Sequence, residues 1–169
     1  MSFHSESLLD ATDWRILREL QKDARLSFNE LGRRVALSAP AAAERVRKLE
    51  DRGVITGYSA QIDPSQVGLP LLLFIQMRCD PEKCLLRTST ADSFPEVLEM
   101  HKLSGNYCTL LKVAVSSMQH MEALTERLGK HGHVIVNIVT SSALTNRVID
   151  WENADVDVVP QTPASWMNK

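Results

Sequence analysis

Apolar residues near the start of the chain recur at helical spacing. Trp14, Leu17 and Leu20 lie three positions apart, with polar and charged residues between them. This spacing places the three side chains on one face of a helix. Thr12 is a suitable N-cap residue just before them. The pattern predicts a first amphipathic helix that is capped by Thr12 and extends to about residue 23.

Two more helices follow, each preceded by a serine. Ser27 and Glu30 have the spacing of a capping box, in which each side chain accepts a hydrogen bond from the other residue's backbone N–H. Ser38 precedes a third helix that has Pro40 in its first turn and ends at Gly53. Three short helices in about forty residues predict a helix-turn-helix unit.

The pattern becomes strand-like after the third helix. Residues 54–62 alternate and are rich in β-branched and aromatic side chains, which predicts a short ribbon. The segment Asp63-Pro64-Ser65-Gln66-Val67-Gly68 is typical of a linker. Residues 69–79 are apolar enough for a buried strand, and Asp80 caps a helix that is predicted to last until about residue 93.

A hairpin, a helix and a last strand complete the pattern. Strands are predicted at residues 97–103 and 107–115, on either side of the turn-forming residues 104–106. Ser116 and Gln119 have capping-box spacing at the start of an amphipathic helix. The β-branched run 134–140 predicts the last strand. The order β-α-β-β-α-β is typical of a ferredoxin-like sandwich.

The predicted fold class is therefore α+β, with two domains. A winged or ribboned helix-turn-helix domain occupies residues 1–62, and a linker occupies residues 63–68. The ferredoxin-like βαββαβ sandwich occupies residues 69–150. Residues 151–169 form a tail without a clear pattern.

Composition narrows the class of protein. The chain has 169 residues, of which 44% are apolar and 24% are charged, so disorder over its whole length is excluded. The first ten residues carry acidic and polar groups where a secretory signal has a basic start and an apolar run. No apolar stretch approaches the roughly 18 residues of a membrane span. We expect a soluble, cytoplasmic protein with no membrane partner.

The positive charge is concentrated in one segment. The formal net charge is -2, which is unusual for a protein that binds DNA. However, residues 25–52 contain seven Lys/Arg against four Asp/Glu, whereas residues 61–169 contain nine against twelve. A local basic surface is what DNA docking requires, and the acidic remainder limits indiscriminate binding to nucleic acid.

No metal site or catalytic motif is evident. Cys79, Cys84 and Cys108 form an odd set without a C-x-x-C pair, so we expect reduced thiols and no structural zinc site. His131 and His133 flank a glycine and are expected to be surface histidines. The H-E-x-x-H, G-x-S-x-G and phosphate-loop patterns are absent. We expect no metal, no cofactor and no catalytic residue.

Several motifs are distributed along residues 8–150. They are Leu9-Asp10-x-x-Asp13-x-x-Ile16-Leu17-x-x-Leu20, Leu37-Ser38, Glu44-Arg45-Val46-Arg47-Lys48-Leu49-Glu50, Gly53-Val54-Ile55-x-Gly57-Tyr58 and Ser104-Gly105-x-Tyr107-x-x-Leu110-Leu111-Lys112-Val113. With these motifs the chain resembles the Lrp/AsnC family of feast-famine regulators. The resemblance implies a transcriptional regulator that binds double-stranded DNA at specific sequences. It also implies a C-terminal sandwich that dimerises, assembles into octamers or similar rings, and holds a small amino-acid-type effector between subunits.

The chain departs from the family pattern in two places. Asn106 and Cys108 stand where the family usually has acidic residues, and Asn137 and Val139 stand where it usually has Thr-x-Thr. The first two changes remove negative charge that would receive an amino group. The implied effector is therefore a carboxylate or an uncharged metabolite rather than a basic amino acid, or there is no effector.

The third helix supplies most of the predicted DNA surface. If Ala42, Val46 and Leu49 face the core, the helical period turns the basic residues outward. Basic side chains near the start of such a helix bind phosphates, while its first turns read base edges. The predicted DNA-binding residues are Arg33, Arg34, Ser38, Pro40, Ala41, Glu44, Arg45, Arg47, Lys48 and Arg52. The alternative is an ordinary solvated face.

A neutral effector pocket is predicted where the hairpin turn and the last strand would meet between subunits. Gly105 would let a ligand approach the backbone closely, and turn N–H groups would receive a carboxylate. The predicted residues are Ser104, Gly105, Asn106, Cys108, Asn137, Val139 and Ser141. In the alternative interpretation, Gly105 only makes a turn and Cys108 only fills the core.

Two other functions remain open. The first is an enzyme, because siroheme decarboxylases have a similar two-domain architecture. A tetrapyrrole bound to the purified protein would favour this function. The second is an architectural protein that compacts DNA and has no effector. Binding that is broad along the genome, rather than confined to phased sites, would favour it.

Overall fold

The structure, a computed structural model, describes residues 9–80, 82–85 and 93–154. These residues fold into two compact units. A helical unit contains residues 9–59 together with 144–154, and a sheet unit contains residues 60–143. Most of the helix predicted after Asp80, and the tail beyond residue 154, lie outside the described residues. In the part of the chain that is described, no helix has the length and apolar character of a membrane span.

The first helix, α1 (Ala11–Lys22), begins with an aspartate cap. Asp10 Oδ1 accepts hydrogen bonds from the backbone N–H groups of Thr12 and Asp13, both at 2.8 Å. Asp13 Oδ2 accepts one from the Asp10 N–H at 3.2 Å, which completes a capping box. The predicted cap at Thr12 is therefore wrong, because Thr12 already lies inside the helix and the Asp10 carboxylate occupies the capping position.

The second helix, α2 (Phe28–Val35), has the predicted serine cap but only half of the predicted capping box. Ser27 Oγ accepts from the Glu30 N–H at 3.2 Å. The Glu30 carboxylate binds the guanidinium groups of Arg33 and Arg34 instead of returning to Ser27. Charge-assisted bonds to arginine are stronger than a bond to a neutral N–H, which explains the difference.

The third helix, α3 (Ala39–Asp51), begins and ends as predicted. Ser38 Oγ accepts from the Ala41 N–H at 3.4 Å, and Pro40 lies in the first turn. Gly53 follows the helix with a positive φ of 67°, a conformation that glycine adopts without strain. The helix-turn-helix prediction is thus confirmed in its three helices.

A tight turn joins α2 to α3. Ala36 has left-handed backbone dihedrals, with φ at 58°. A Cβ added to Gly32 would lie 2.6 Å from the Leu37 carbonyl oxygen, so only glycine allows this approach. The helices enclose a core of apolar residues: Ile16, Leu17, Leu31, Val35, Ala42, Val46 and Leu49.

The segment after α3 forms no strand in this chain. Residues 54–62 have no strand partner among the described residues, although Ile55 packs against the helical core. The ribbon prediction is therefore wrong for the single chain, because an isolated extended segment has no ladder to join. The predicted linker contains a short 3-10 helix, Pro64–Val67, whose N-cap is Asp63.

The sheet unit has four antiparallel strands and one described helix. The strands are β1 (Leu71–Cys79), β2 (Val97–Lys102), β3 (Thr109–Val115) and β4 (Gly132–Ile138), in the order β2-β3-β1-β4. Helix α4 (Met118–Gly129) lies between β3 and β4 in the chain. This arrangement confirms the predicted α+β fold class. The cap of α4 is Ser117, which accepts from the His120 N–H at 3.1 Å, and the predicted cap at Ser116 is wrong by one residue.

The core of the sheet unit lies on the face of the sheet that α4 covers. Alternate residues of β1 and β3 point into it, as the period of a strand requires. Its buried members are Leu73, Ile75, Met77, Leu85, Phe94, Leu111, Val113, Val115, Leu124 and Leu128.

The end of the described chain packs against α1. Gln21 forms two hydrogen bonds with the backbone of Ile149, both at 2.8 Å, and Arg18 pairs with Asp150. A short helix, α5 (Trp151–Ala154), follows. Residues 144–150, which the sequence assigned to the sandwich, are thus grouped with the helical unit, because their polar contacts are with α1.

Candidate DNA interface and effector region

Helix α3 presents a polar face beside its buried one. Ala42, Val46 and Leu49 are buried, as the helical period predicted. Pro40, Glu44, Arg47 and Lys48 are exposed, Ser38 is exposed at the cap, and Ala41 and Arg45 are half-buried. Arg52 is exposed at the C-cap, and its N–H donates to the Lys48 carbonyl. The predicted residues of α3 thus lie outside its buried face and extend from the N-cap to the C-cap of the helix.

Most of the predicted phosphate-binding side chains are paired with acids on their own helices. Arg33 binds Glu30 through Nη2 and Oε1 at 2.8 Å. Arg47 binds Glu44 at 2.9 Å, and Lys48 Nζ lies 3.7 Å from the same carboxylate. Exposed pairs of this kind are weak and screened by salt. A phosphate would therefore replace the carboxylate easily.

Arg45 lies in a different environment. Its Nη1 donates to Asp10 Oδ2 at 2.6 Å and to Asp13 Oδ1 at 2.8 Å. Asp13 is 9% exposed, and the same residue completes the capping box of α1. Arg45 therefore connects α3 to the first turn of α1. The sequence predicted a DNA contact for Arg45 and missed this ion pair, because Arg45 is 32 residues from Asp13.

These arginines keep their partners ionised. Hydrogen bonds from Arg33 and then Arg34 lower the pKa of Glu30 to about 2. The hydrogen bond from Arg45 lowers the pKa of Asp10, and the Asp13 backbone N–H lowers it further. The carboxylates on this surface therefore remain charged at neutral pH.

The hairpin between β2 and β3 places the first part of the predicted effector region at an exposed turn. Ser104, Gly105 and Asn106 are exposed. Gly105 has a φ of 119°, and an added Cβ there would meet no atom within 4 Å. A side chain at this position would therefore meet open space. Cys108 is half-buried, and its N–H donates to the Met77 carbonyl at 2.9 Å.

The second part of the predicted effector region lies at the other end of β1. Asn137 donates to the Phe74 carbonyl at 3.2 Å, and the Val139 N–H donates to the Leu72 carbonyl at 2.9 Å. Ser141 follows and is exposed. Phe74 is three positions from Met77 along β1 and Leu72 is five, which correspond to about 10 Å and about 17 Å along a strand. One chain therefore does not bring the two parts together.

Three cysteines form a cluster that the sequence did not predict. The Sγ atoms of Cys79, Cys84 and Cys108 all lie within 4.8 Å of one another. The β1–β3 register places Cys108 beside Cys79, a proximity that was not expected from the sequence. The four residues between Cys79 and Cys84 were the only local signal.

Comparison with known proteins identifies one family domain at each end of the chain. The AsnC-type helix-turn-helix domain matches residues 9–50, and the Lrp/AsnC ligand binding domain matches residues 72–149. The chain is 42% identical over 135 residues to YezC, an HTH-type transcriptional regulator of Bacillus subtilis, and the match covers 80% of this chain and 96% of YezC.

Solved structures agree as well. LrpC of Bacillus subtilis superposes with a TM-score of 0.76 and 30% identity, covering 81% of this chain and 98% of LrpC. The transcriptional regulator NMB0573 of Neisseria meningitidis, solved as a complex with L-Met, has a TM-score of 0.76 and 28% identity, and the match covers 86% of this chain and 99% of NMB0573. The motifs, the two folded units and these matches agree: the chain belongs to the Lrp/AsnC family of transcriptional regulators.

Proposed function

We propose that the protein regulates transcription by docking the N-terminal half of α3 and its flanking cations on double-stranded DNA. The exposed face of α3 is the observation that carries this proposal. Pro40 and Ala41 lie in its first turn, where a helix meets base edges, and Arg47 and Lys48 follow on the exposed side. Because Ala41 offers only a methyl contact to thymine, much of the selectivity comes from DNA deformation.

Charge variants test the proposed DNA surface. Lys48→Ala and Arg33→Ala each remove one exposed cation and should weaken binding to the protein's own upstream region. Each should also reduce the slope of log affinity against log salt by about one unit for every phosphate that the variant no longer binds. Lys130→Ala, which removes a charge from the sheet unit, is the matched control. Equal affinity and slope in wild type and both variants would place the DNA surface elsewhere.

We further propose that the two parts of the effector region are completed by different subunits. The spacing along β1 supports this, since Met77 contacts Cys108 while Phe74 and Leu72 contact Asn137 and Val139, about 10–17 Å away in a single chain. The relative with bound L-Met supports an amino-acid-type effector class. Asn106 and Asn137 would bind a carboxylate or an uncharged group without adding charge.

Two variants of Gly105 test the effector region. Gly105→Asp adds a negative side chain at the turn and should abolish the ligand-induced change in DNA footprint or oligomer size. Because φ is 119° there, any side chain strains the backbone, and Gly105→Asn controls for that strain. Thermal shift and footprinting with a panel of amino acids and other carboxylates provide the readout. If Gly105→Asp responds with the wild-type midpoint, the effector binds elsewhere.

The proposed homodimer uses the sheet face opposite α4. Phe74 on that face is 37% exposed, and β2 and β4 are edge strands. An aromatic side chain exposed on a sheet face with two edge strands favours association with a second copy. Phe74→Asp should convert the full-length protein to monomers in light scattering, whereas Met118→Asp on α4, where the side chain is 45% exposed, should not. A monomeric wild type would refute the dimer and the octamer-like rings built from it.

We infer that the protein acts by binding and not by catalysis, in the cytoplasm where chromosomal DNA is accessible. The relatives named as transcriptional regulators support this role. Genome-wide occupancy separates a regulator from a DNA-compacting protein. A few phased promoter sites support regulation, and uniform coverage would favour compaction.

A further inference from the structure

Three thiols converge where β1 ends. Cys79 is the last residue of β1, Cys108 immediately precedes β3, and Cys84 lies five positions after Cys79. The pairing of Met77 with Thr109 brings Cys79 and Cys108 together. We call Cys79, Cys84 and Cys108 the thiol cluster. All of the chain's cysteines belong to it.

The spacing of the sulfurs is close to that of a metal site. Three thiolates at the usual Zn–S distance of about 2.3 Å are separated by about 3.8 Å in a tetrahedral site and about 4.0 Å in a trigonal one. The sulfurs of the thiol cluster lie within 4.8 Å of one another. A closure of about 1 Å at most is needed, and small rotations within side-chain rotamer wells supply it.

Polar groups surround the sulfur of Cys108, whose S–H donates to the Met77 carbonyl oxygen at 3.3 Å. The Cys79 backbone N–H donates to Cys108 Sγ at 3.1 Å, and Thr109 Oγ1 lies 3.4 Å from the same atom. Burial opposes ionisation of Cys108, but the hydrogen bonds from Thr109 and Cys79 outweigh it and lower its pKa. Burial raises the pKa of Cys79 to about 11. A cation that binds the three sulfurs would release their protons.

We propose that the thiol cluster binds one soft, thiophilic metal ion of the Zn²⁺ or Cu⁺ class per chain. Thiolates select such ions over hard cations. Within residues 9–80, 82–85 and 93–154, no fourth Cys, His, Asp or Glu ligand atom joins the three at this spacing. The fourth position of a tetrahedral ion is left to water or an added ligand. This proposal goes beyond the regulator function and needs neither DNA nor an effector.

Metal titration of the reduced, full-length protein under anaerobic conditions tests the proposal. Zn²⁺ and Cu⁺ are each titrated in competition with a chromophoric chelator, and Co²⁺ is added separately for its thiolate charge-transfer absorption. We expect one ion per chain, with an affinity that rises with pH because binding releases thiol protons. Since every cysteine belongs to the cluster, bound ion should also slow the reaction of all three thiols with a thiol reagent.

Single substitutions connect the metal to the cluster. Cys79→Ser, Cys84→Ser and Cys108→Ser should each lower the affinity by about ten-fold or more, since ligand loss costs at least as much as loss of a supporting contact. His133→Gln, at an exposed position of β4, should leave it unchanged. If a serine variant fails to fold, the slower reaction of the wild-type thiols with a thiol reagent in the presence of the ion still tests the proposal. No bound ion, wild-type affinity in all three serine variants, or a disulfide that forms in the presence of Zn²⁺ would overturn the proposal.

Discussion

Truncation of Asp13 to alanine should destabilise the helical unit. Truncation of Arg45 should show whether that arginine stabilises the fold or contacts DNA. Asp13 Oδ2 accepts from the Asp10 N–H, and Oδ1 accepts from Arg45. Asp13→Ala therefore removes half of the α1 capping box and half of the Arg45 ion pair. Arg45→Ala removes only the ion pair and leaves the capping box in place.

The geometry sets the expected magnitude. Loss of a capping interaction costs about 0.5–2 kcal/mol. The side chain of Arg45 is 36% exposed and that of Asp10 is 53% exposed, so solvent screens the ion pairs and their contribution is about 0.2–1 kcal/mol. Asp13→Ala should therefore lower the free energy of unfolding by about 1–2 kcal/mol, or about 5–15 °C in Tm for a unit of this size. Arg45→Ala should lower the free energy of unfolding by less than about 1 kcal/mol.

Tryptophan fluorescence during urea denaturation measures this unit selectively, because residues 60–143 contain no tryptophan. A double-mutant cycle with Asp13→Ala and Arg45→Ala should give a coupling energy of about 0.5–1 kcal/mol. DNA affinity is measured at a temperature where every variant is folded. Additive effects on stability, together with a loss of DNA affinity in Arg45→Ala, would refute the structural role and restore Arg45 as a phosphate contact.

Three further predictions concern the backbone and a buried acid. Gly32→Ala should destabilise by about 1–3 kcal/mol in urea denaturation, because its Cβ would lie 2.6 Å from the Leu37 oxygen, whereas Gly129→Ala, with no atom nearby, should not. Ala36→Gly should stabilise by about 0.5–1 kcal/mol by the same assay, because it relieves a left-handed alanine. Burial opposes ionisation of Glu96, but hydrogen bonds and the nearby charge of Arg127 lower its pKa. The ionised Glu96 carboxylate therefore stabilises the fold fully above the ordinary pKa of glutamate, and this stabilisation is lost as the pH falls through the lowered pKa. Circular dichroism of acid unfolding should therefore show less pH dependence in Glu96→Gln, and an unchanged profile would contradict this.

Local signals in the sequence predicted the elements well. Ser38, Pro40 and Gly53 mark α3 because caps and helix stops act over one or two turns. The same reasoning failed where two acceptors competed, as at Thr12 beside Asp10. It also failed for residues 54–62, where a strand pattern has no partner in the chain. Periodicity describes the faces of an element and not its partners.

The site was less predictable because its contacts are long-range. The pairing of Arg45 with Asp13 and the meeting of Cys79 with Cys108 both depend on packing between elements. The sequence correctly turned Lys48 and Arg47 outward, since helical period alone decides that. It did not show that acids on the same helix neutralise them.

Cys108 belongs both to the predicted effector region and to the thiol cluster, and the two proposals separate at this residue. Cys84→Ser should weaken metal binding by about ten-fold or more and preserve the response to an effector, because Cys84 is not part of the predicted effector region. Gly105→Asp should abolish the response to an effector and leave metal binding unchanged. Cys108 Sγ accepts from the Cys79 N–H, so its side chain is directed toward the cluster in the single chain. Cys108→Ser should therefore behave like Cys84→Ser in both assays. If Cys108→Ser loses the effector response while Cys84→Ser retains it, Cys108 contacts the effector directly, and the two sites share a residue.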